Sequence, residues 1–260
     1  MTDGRGVWLY AVTADGLDPH DLADEPGIGG APIRTLAAAG LTCVTSPVDL
    51  REFGEDALRR KLNDPVQLEA IARSHHNVVA ATARAVPAVP ARLATVYHDA
   101  GRVAALLAQR RADFTAVLAR VTGRTEWGVR AYATAQAAAP PPAAAENTGS
   151  GTAYLLNRRA ELRAADSARR ASAHSATVVH TALSRLAAAA RSHPPQSTQL
   201  TGEADTMVLN GAYLVDDDKA DQFAATVADL AAQHLTLRLH RTGPWPAYSF
   251  AAVTEPETPT

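Results

Sequence analysis

Few residues in this chain could act as nucleophiles, and none stands in a recognisable catalytic motif. Nucleophilic catalysis needs a Ser or Cys close to a His that a third group orients. The sequence contains no G-x-S-x-G motif. Cys43 is the single cysteine, and it lies in the apolar run "LTCV", where a buried and inert thiol is expected. We therefore assign no catalytic residue and expect no enzyme.

The glycine-containing stretches do not match a phosphate-binding loop. The pattern G-x-x-x-x-G-K-[ST] is absent. "PGIGGAP" brings Gly27, Gly29 and Gly30 together, but it follows an acidic loop and precedes a predicted strand. A dinucleotide site needs the reverse order, with a strand before the glycines and a helix after them. We expect a plain turn here, and no cofactor.

The histidines and carboxylates are not spaced as metal ligands. His75 and His76 are neighbours on a predicted helix and point in different directions, and His174 and His180 do not share a helix face. "DDDKAD" lacks the spacing of a calcium loop and is better explained as a charged helix start. His75 lies on an apolar stripe, which is typical of a hydrogen-bonded core histidine. No metal site is predicted.

Charge and composition exclude several classes of partner. The net charge is −2 at pH 7 and the pI is about 6.5, which argues against binding nucleic acid through a global positive field. No apolar run is long enough for a membrane span or a signal peptide. A single cysteine fits a reducing compartment. The expectation is a soluble, cytoplasmic protein.

The N-terminal half is predicted to mix strands and helices. "GVWLYAV" is typical of a buried strand. The runs 33–38 and 41–46 are predicted to form a hairpin that turns at Gly40. A helix capped by Asp64, with Pro65 in its first position, should run to about Arg84. Its buried face is predicted to hold Leu68, Ile71, His75, Val78 and Thr82. "VPARLATVY" is predicted to be extended, and one further helix to span about 99–122.

The C-terminal half predicts a strand at 126–133, then a low-complexity segment at 136–149, then a long helix at about 152–191. The apolar stripe of that helix is thin, which suggests partial burial or burial against a partner. Its positions are Leu155, Leu162, Ala176, Val179, Leu183 and Leu186. A strand at 206–215, a helix to about Gln233 and a strand at 235–240 complete the pattern, which is α+β because no regular βαβ repetition occurs.

An aromatic cluster near the C-terminus stands out in a chain with only 5% aromatic residues. In "TGPWPAYSF" the two prolines lack N–H donors and are expected to end the preceding strand ladder. The aromatic side chains are then expected to pack within the C-terminal domain, with direct contact to a partner as the alternative. The candidate residues are Gly243, Pro244, Trp245, Pro246, Tyr248 and Phe250.

Read together with upstream motifs, this stretch resembles the gas vesicle protein F/L family. The motifs occur in the family's order as "WLYAV", "GIGGAPI", "LTCVTSPV", His75 with Val78 and Val79, "EWGVRAY", "GSGTAYL" and "TGPWPAYSF". One element departs from the family, since Leu93 and Ala94 stand where a Phe and a Gly are usual. Leu93 has no aromatic ring, so it cannot make the contact that a Phe would make there.

The resemblance implies two α+β domains, 1–123 and 124–253, the second a modified ferredoxin-like fold with a long helix. The segment 136–149 would be a variable loop of the second domain, and 254–260 a disordered tail. It also implies a non-enzymatic accessory protein of gas vesicle assembly that binds the vesicle shell protein and other accessory proteins. Its location would be the cytoplasm and the gas vesicle. The F and L branches, the oligomeric state and a place in the finished vesicle stay open.

Two rival functions remain. An oligomeric scaffold would use the long helix as a coiled-coil arm, but alanines interrupt the heptad seam that such an arm needs. An enzyme on a ferredoxin-like domain would need a pocket with convergent titratable groups.

Overall fold

The chain forms two structural units. The computed structural model describes residues 4–14, 16–22, 24–134, 151–195 and 205–251. Contacts between residues group Met1–Glu126 with Pro244–Thr260 as a first unit, and Trp127–Gly243 as a second. The sequence-based division at residue 123 assigned everything up to 253 to the second domain, so the return of the chain to the first unit at Pro244 was not anticipated. The segments 136–149 and 254–260 lie outside the described residues.

The elements of the described residues run in the following order. The strands are β1 (Arg5–Ala14), β2 (Arg34–Ala38), β3 (Leu41–Asp49), β4 (Ala88–Pro90), β5 (Val96–Tyr97), β6 (Arg124–Ala133), β7 (Ala189–Ser192), β8 (Thr206–Asp216) and β9 (Leu237–Trp245). The helices are α1 (Leu50–Phe53), α2 (Glu55–Asn63), α3 (Pro65–Ala85), α4 (Ala100–Gln109), α5 (Arg111–Val121), α6 (Gly151–Leu186) and α7 (Ala220–Gln233). The fold class is mixed helix and sheet, as the sequence predicts.

The sheet of the first unit is built around β1. Its strand order is β2-β3-β1-β4, and β5 also pairs with β1. All of these pairings are antiparallel. The predicted hairpin is confirmed: Ala39 and Gly40 join β2 to β3 with φ values of +55° and +71°. Two left-handed residues are what a tight type I′ hairpin turn requires.

Helix α3 begins and packs as predicted. The Asp64 carboxylate accepts a hydrogen bond from the Val66 N–H at 2.9 Å and caps the helix. Ile71, His75, Val78 and Thr82 are buried on its inner face. Leu68, predicted for the same face, is 38% exposed because it lies in the first turn, at the rim of the core.

A buried polar group fixes the rotation of α3 about its axis. The Trp8 Nε1–H donates to His75 Nδ1 at 3.0 Å. The other ring nitrogen, Nε2, lies 3.2 Å from the Ala91 carbonyl oxygen, so it carries the proton and donates. Burial lowers the pKa of His75 to about 4, which keeps the ring neutral at pH 7. The prediction of a core histidine is confirmed.

The "PGIGGAP" segment forms a turn against β1. The Ile28 N–H donates to the Tyr10 hydroxyl oxygen at 2.7 Å, and that hydroxyl shares a further hydrogen bond of 2.8 Å with Ser46. A β-carbon on Gly27 would come within 2.8 Å of both the Ala31 carbonyl oxygen and the Tyr10 hydroxyl. Glycine is therefore required here by close packing, and the glycines serve a structural turn.

The single helix predicted over 99–122 is wrong in one respect, because the chain breaks at Arg110. This residue has φ −108° and ψ 18° and separates α4 from α5. Its Nε–H donates to the Asp113 carboxylate at 2.5 Å, at the start of α5. The break lets Phe114 and Val117 face the core, while the charge of Arg110 stays paired with Asp113.

The sheet of the second unit has the order β7-β8-β6-β9. The core contains Trp127 and Val129 from β6, with apolar side chains of the two helices packed against the sheet. These helix residues are Ala176, Val179 and Leu183 of α6 and Phe223, Val227 and Leu230 of α7. The predicted strand β6 and the predicted helix α7 are therefore both present, and each contributes side chains to this core. Leu155 and Leu162, also assigned to the α6 stripe, are instead exposed.

The predicted end of the long helix is wrong. Helix α6 stops at Leu186, and Ala189–Ser192 is strand β7, paired antiparallel with β8 from Ala189 opposite Leu214 to Ser192 opposite Gly211. Alanine-rich sequence carries a strong helix propensity. The backbone partners offered by β8 outweigh that local preference, because they pair the donors and acceptors of the segment.

The last strand also differs from its prediction. It starts at Leu237, since residues 235–236 form a turn in which Leu235 is 79% exposed, and it continues past Pro244 to Trp245. The prolines were expected to end the ladder. Strand β9 lies at the edge of the sheet, where a residue without an N–H can face outward and be tolerated.

Protonation of His75 should destabilise the fold in acid. The folded-state pKa is about 4 and the ordinary value is 6.5, so the unfolded chain binds more protons between these values. The contribution of neutral His75 is therefore fully present above pH 6.5 and is lost as the pH falls towards 4. The loss amounts to about 3 kcal/mol at most.

Chemical denaturation between pH 4 and pH 7 checks this expectation. The free energy of unfolding of the wild type should fall more steeply with acid than that of His75→Gln, which has no imidazole to protonate. Equal slopes for the two proteins would contradict the assignment.

Candidate functional site

The C-terminal corner, residues 244–250, begins with the last two residues of β9 and continues in successive tight turns from Pro246. Gly243, just before it, has φ +117°, a conformation that favours glycine. The Tyr248 N–H donates to the Pro246 carbonyl oxygen at 2.7 Å, and the Phe250 N–H to that of Ala247 at 3.1 Å. The turns satisfy the backbone locally where the two prolines supply no donors.

The aromatic side chains of the corner have two different environments. Phe250 is 2% exposed, so its side chain is buried. Trp245 is 40% exposed and Tyr248 is 37% exposed, so each presents part of its ring to solvent. The corner therefore has a buried side and an outward aromatic side.

His76 of α3 lies against both outward rings. The centroids of the His76 and Trp245 rings are 5.4 Å apart in an edge-to-face arrangement, with an interplanar angle of 66°. The Tyr248 ring centroid is 6.2 Å from that of His76, and the Tyr248 hydroxyl lies 3.3 Å from His76 Nδ1. Edge-to-face aromatic geometry is favourable beyond the area it buries. We call these three residues the aromatic cluster.

A buried carboxylate anchors the corner. Glu126 is 7% exposed and accepts two hydrogen bonds from Ser249, one from the backbone N–H and one from the hydroxyl, each at 2.7 Å. Hydrogen bonds to an ionised acceptor are about twice as strong as neutral ones. Glu126 therefore fixes the backbone between Tyr248 and Phe250.

The electrostatics keep the aromatic cluster neutral. Burial, and then the charge of Glu126, raise the pKa of Tyr248 above its ordinary value. Burial, and then the charge of Arg84, lower the pKa of His76. Both groups are uncharged at pH 7, so the surface offers rings and hydrogen-bonding groups rather than charge.

The contacts of the corner differ from the sequence-based expectation. Packing was expected within the C-terminal domain, whereas the aromatic cluster is built on α3 of the first unit. Sequence reasoning also missed His76 and Glu126 as its partners. These residues are 172 positions from Tyr248 and 123 positions from Ser249, respectively. No local pattern could signal pairs so distant in the sequence.

The other candidate residues are dispersed. Cys43 is fully buried and its pKa is raised by burial to about 12, as expected for an inert thiol. His180 Nδ1 lies 2.8 Å from the Tyr213 hydroxyl in the second unit. Within the described ranges, no cluster of three or more His, Cys, Asp or Glu side chains could hold a metal ion.

One groove of the first unit contains several titratable groups and encloses about 630 Å³. Its apolar lining includes Phe53, Leu58 and Val96, and its charged residues include Glu55 and Arg59. These two pair with each other at 2.9 Å across one turn of α2. The described residues that line the groove include no Ser, Thr or Cys, so it does not assemble an acyl-transfer site.

The element that departs from the family motif is accommodated locally. Ala94 takes φ +69°, a left-handed conformation in which a glycine would be unstrained. Leu93 is 36% exposed and is not part of the core.

Solved structures share this fold. The chain superposes on the crystal structure of the gas vesicle protein GvpF from Anabaena sp. PCC7120 with a TM-score of 0.69 at 18% identity. That match covers 98% of this chain and 100% of the other. At this identity the likeness concerns the fold alone.

The sequence comparison identifies the family. The family model described as gas vesicle synthesis protein GvpL/GvpF matches residues 6–252, so the chain belongs to the GvpL/GvpF family. It is 38% identical to the gas vesicle protein L of Streptomyces sp. (strain CB03234), over 98% of this chain and 96% of the relative. It is 26% identical to the gas vesicle protein F of the same strain, over 86% and 90% of the two chains. The resemblance found from the motifs is confirmed.

None of the helices in the described part of the chain combines the length and the apolar character needed to cross a membrane.

The two sides of the corner should respond differently to truncation. Phe250→Ala removes a ring that is 2% exposed and should lower the free energy of unfolding by about 3–5 kcal/mol. Trp245→Ala removes a ring that is already 40% exposed, so its effect should be clearly smaller. Thermal and chemical denaturation of both variants provide the measurement. Equal losses, or a larger loss for Trp245→Ala, would show that the corner is packed in another way.

Proposed function

We propose that this protein is an accessory factor of gas vesicle assembly that works by binding other vesicle proteins and not by catalysis. Its membership of the GvpL/GvpF family is the observation that carries the proposal. The corner supports a binding role, since it exposes a neutral aromatic cluster held by buried groups. An aromatic surface with a fixed conformation is typical of interface anchors.

We further propose the vesicle shell protein and other accessory proteins as the partners, met in the cytoplasm and at the growing vesicle. Trp245 and Tyr248 are the proposed contact residues, with Gly243, Pro244, Pro246 and Phe250 holding them in place. Shell subunits of a gas-filled particle must bury apolar surface in the assembly. A folded partner that covers such surface before assembly would prevent aggregation.

Within the family, we assign the chain to the L branch. The identity of 38% to the L protein exceeds the identity of 26% to the F protein of the same Streptomyces strain. This comparison favours L because both relatives come from one genome and are covered over most of their length.

The second unit is proposed to be a modified ferredoxin-like domain. Its elements follow the order β6-α6-β7-β8-α7-β9, and its strands are arranged β7-β8-β6-β9. A β-α-β-β-α-β succession is the signature of that fold. The proposed boundary with the first domain lies between Gly123, which ends α5 with φ +67°, and Trp127.

Co-purification with each vesicle protein, expressed one at a time with this chain, tests the proposal. The wild type should capture the shell protein or an accessory protein. The double variant Trp245→Ala/Tyr248→Ala should weaken that capture by about 2 kcal/mol or more, roughly 30-fold. Val66→Ala is a matched control, because Val66 is 76% exposed in the same unit but lies outside the aromatic cluster.

Two results would argue against this function. The first is normal vesicle formation by a gene cluster from which this chain has been deleted. The second, which concerns only the contact residues, is unchanged capture by the double variant.

A further inference from the structure

The first turns of α6 are not used by the fold. Every described side chain from 154 to 164 is exposed. Four of these are large apolar residues, with exposed fractions of 71% for Tyr154, 66% for Leu155, 61% for Leu156 and 54% for Leu162. Burial against the second unit is established only further along, at Ser172 and Ala176.

This stretch of helix gains no stability from packing within the described chain. Isolated helices of about a dozen residues are marginal in water, and most helices are stabilised by burying an apolar face. Here the helix is held at its far end by the core of the second unit, and the apolar side chains of its first turns face solvent. Those side chains are available to a partner.

Two of the exposed leucines, Leu155 and Leu162, form a narrow seam bordered by arginines, while Tyr154 and Leu156 lie about 100° to either side of Leu155. Leu155 and Leu162 are seven residues apart, so at about 100° per residue they lie within roughly 20° of each other on the helix. By the same geometry, Arg159 and Arg163 lie on one side of this seam and Arg158 and Arg169 on the other. A narrow seam of this kind matches the face of another helix, whereas insertion at a lipid surface requires a broad apolar face.

The charge of the stretch is positive and incompletely neutralised. Residues 154–170 contain five arginines and two carboxylates, a net charge of +3. Arg158 pairs with Glu161 at 3.1 Å, and Arg170 pairs with Asp166 at 2.7 Å. The remaining three, Arg159, Arg163 and Arg169, have no carboxylate partner among the described residues.

We propose that residues 154–170 of α6 form a docking surface for an acidic amphipathic helix of a partner protein. The apolar face of that helix covers the Leu155–Leu162 seam, and its carboxylates pair with the flanking arginines. A second copy of this chain fits less well, because two surfaces that each carry a net charge of +3 would repel each other. The inference rests on the proposed function in one respect, namely that the chain binds other proteins. It adds the chemistry of one such partner.

A designed peptide tests the surface directly. The probe is a fluorescently labelled helical peptide of about three heptads, with Leu at the a and d positions and Glu elsewhere. Fluorescence anisotropy with the full chain should show saturable binding that weakens as salt is raised, because charge pairs at a surface are screened. The same peptide with Lys in place of Glu should not bind.

Two variants locate the binding. Leu155→Gln/Leu162→Gln and Arg159→Glu/Arg163→Glu should each weaken binding of the acidic peptide at least about tenfold. The matched controls are Val66→Gln/Leu235→Gln, which replaces exposed apolar residues elsewhere, and Arg51→Glu/Arg60→Glu, which makes the same charge change elsewhere. Thermal melts should be the same for all variants, since the substituted side chains are exposed.

Several outcomes overturn the inference. These are no binding of the acidic peptide, binding that the α6 variants do not weaken, or equal binding of the Lys peptide. Sedimentation showing a dimer that Leu155→Gln/Leu162→Gln dissociates would instead assign the seam to a second copy. Preferential binding to anionic lipid vesicles, lost in the same variants, would assign it to a lipid surface.

The proposed function is tested separately by vesicle formation in cells. Normal vesicles from a gene cluster that lacks this chain would overturn the assembly role and leave the peptide result standing. Normal vesicles from α6 variants that no longer bind the peptide, in a gene cluster that requires this chain, would overturn only the docking surface.

Discussion

The rotation of helix α3 about its axis is the constraint on which the candidate site depends. His75 accepts the Trp8 N–H and donates to the Ala91 carbonyl, so its ring has one tautomer and one direction. Consecutive residues on a helix are about 100° apart. Fixing His75 in the core therefore fixes His76 at the edge of the core, where the rings of Trp245 and Tyr248 meet it. Trp8 is fully buried, so this constraint is part of the core itself.

Within a few positions, the corner contains both residues that fix its backbone and residues whose aromatic rings are exposed to solvent. Phe250 is packed inside, and Glu126 binds Ser249 through two short hydrogen bonds. The turns leave Trp245 and Tyr248 partly exposed, with both rings in contact with His76. Immobilising a side chain before binding reduces the entropy cost of binding, so a surface of this kind is suited to recognition. The exposed end of α6 is different, since its residues are held only by their own helix.

Sequence patterns such as helix caps and apolar spacing correctly predicted the elements that are determined by residues close together in the chain. Asp64 caps α3, the inner face of that helix reaches from Ile71 to Thr82, and β6 and β8 follow their apolar patterns. The elements that were missed depend on distant partners. Strand β7 is alanine-rich and becomes a strand because β8 lies beside it. Strand β9 continues through Pro244 because it lies at the edge of the sheet. The break at Arg110 is a different case, because its Asp113 partner is only three residues away and no helix-breaking Gly or Pro marks the position.

Only part of the candidate site could be predicted from the sequence, and its location could not. The crowding of Trp245, Tyr248 and Phe250 marks the corner in the sequence, and the family motif names the same stretch. Nothing near it in the sequence identifies α3 as the surface on which it packs. In the sequence, His76 is only the neighbour of the core histidine His75. In the structure, its ring contacts Trp245 and Tyr248 of the corner.

A double-mutant cycle between His76 and Trp245 tests this central claim most directly. The free energy of unfolding would be measured for the wild type, His76→Ala, Trp245→Ala and the double variant under identical conditions. The account predicts a coupling energy of about 0.5–1.5 kcal/mol between the two rings, because they are in direct edge-to-face contact. Strictly additive losses would contradict it, since they would mean that the corner does not pack against α3.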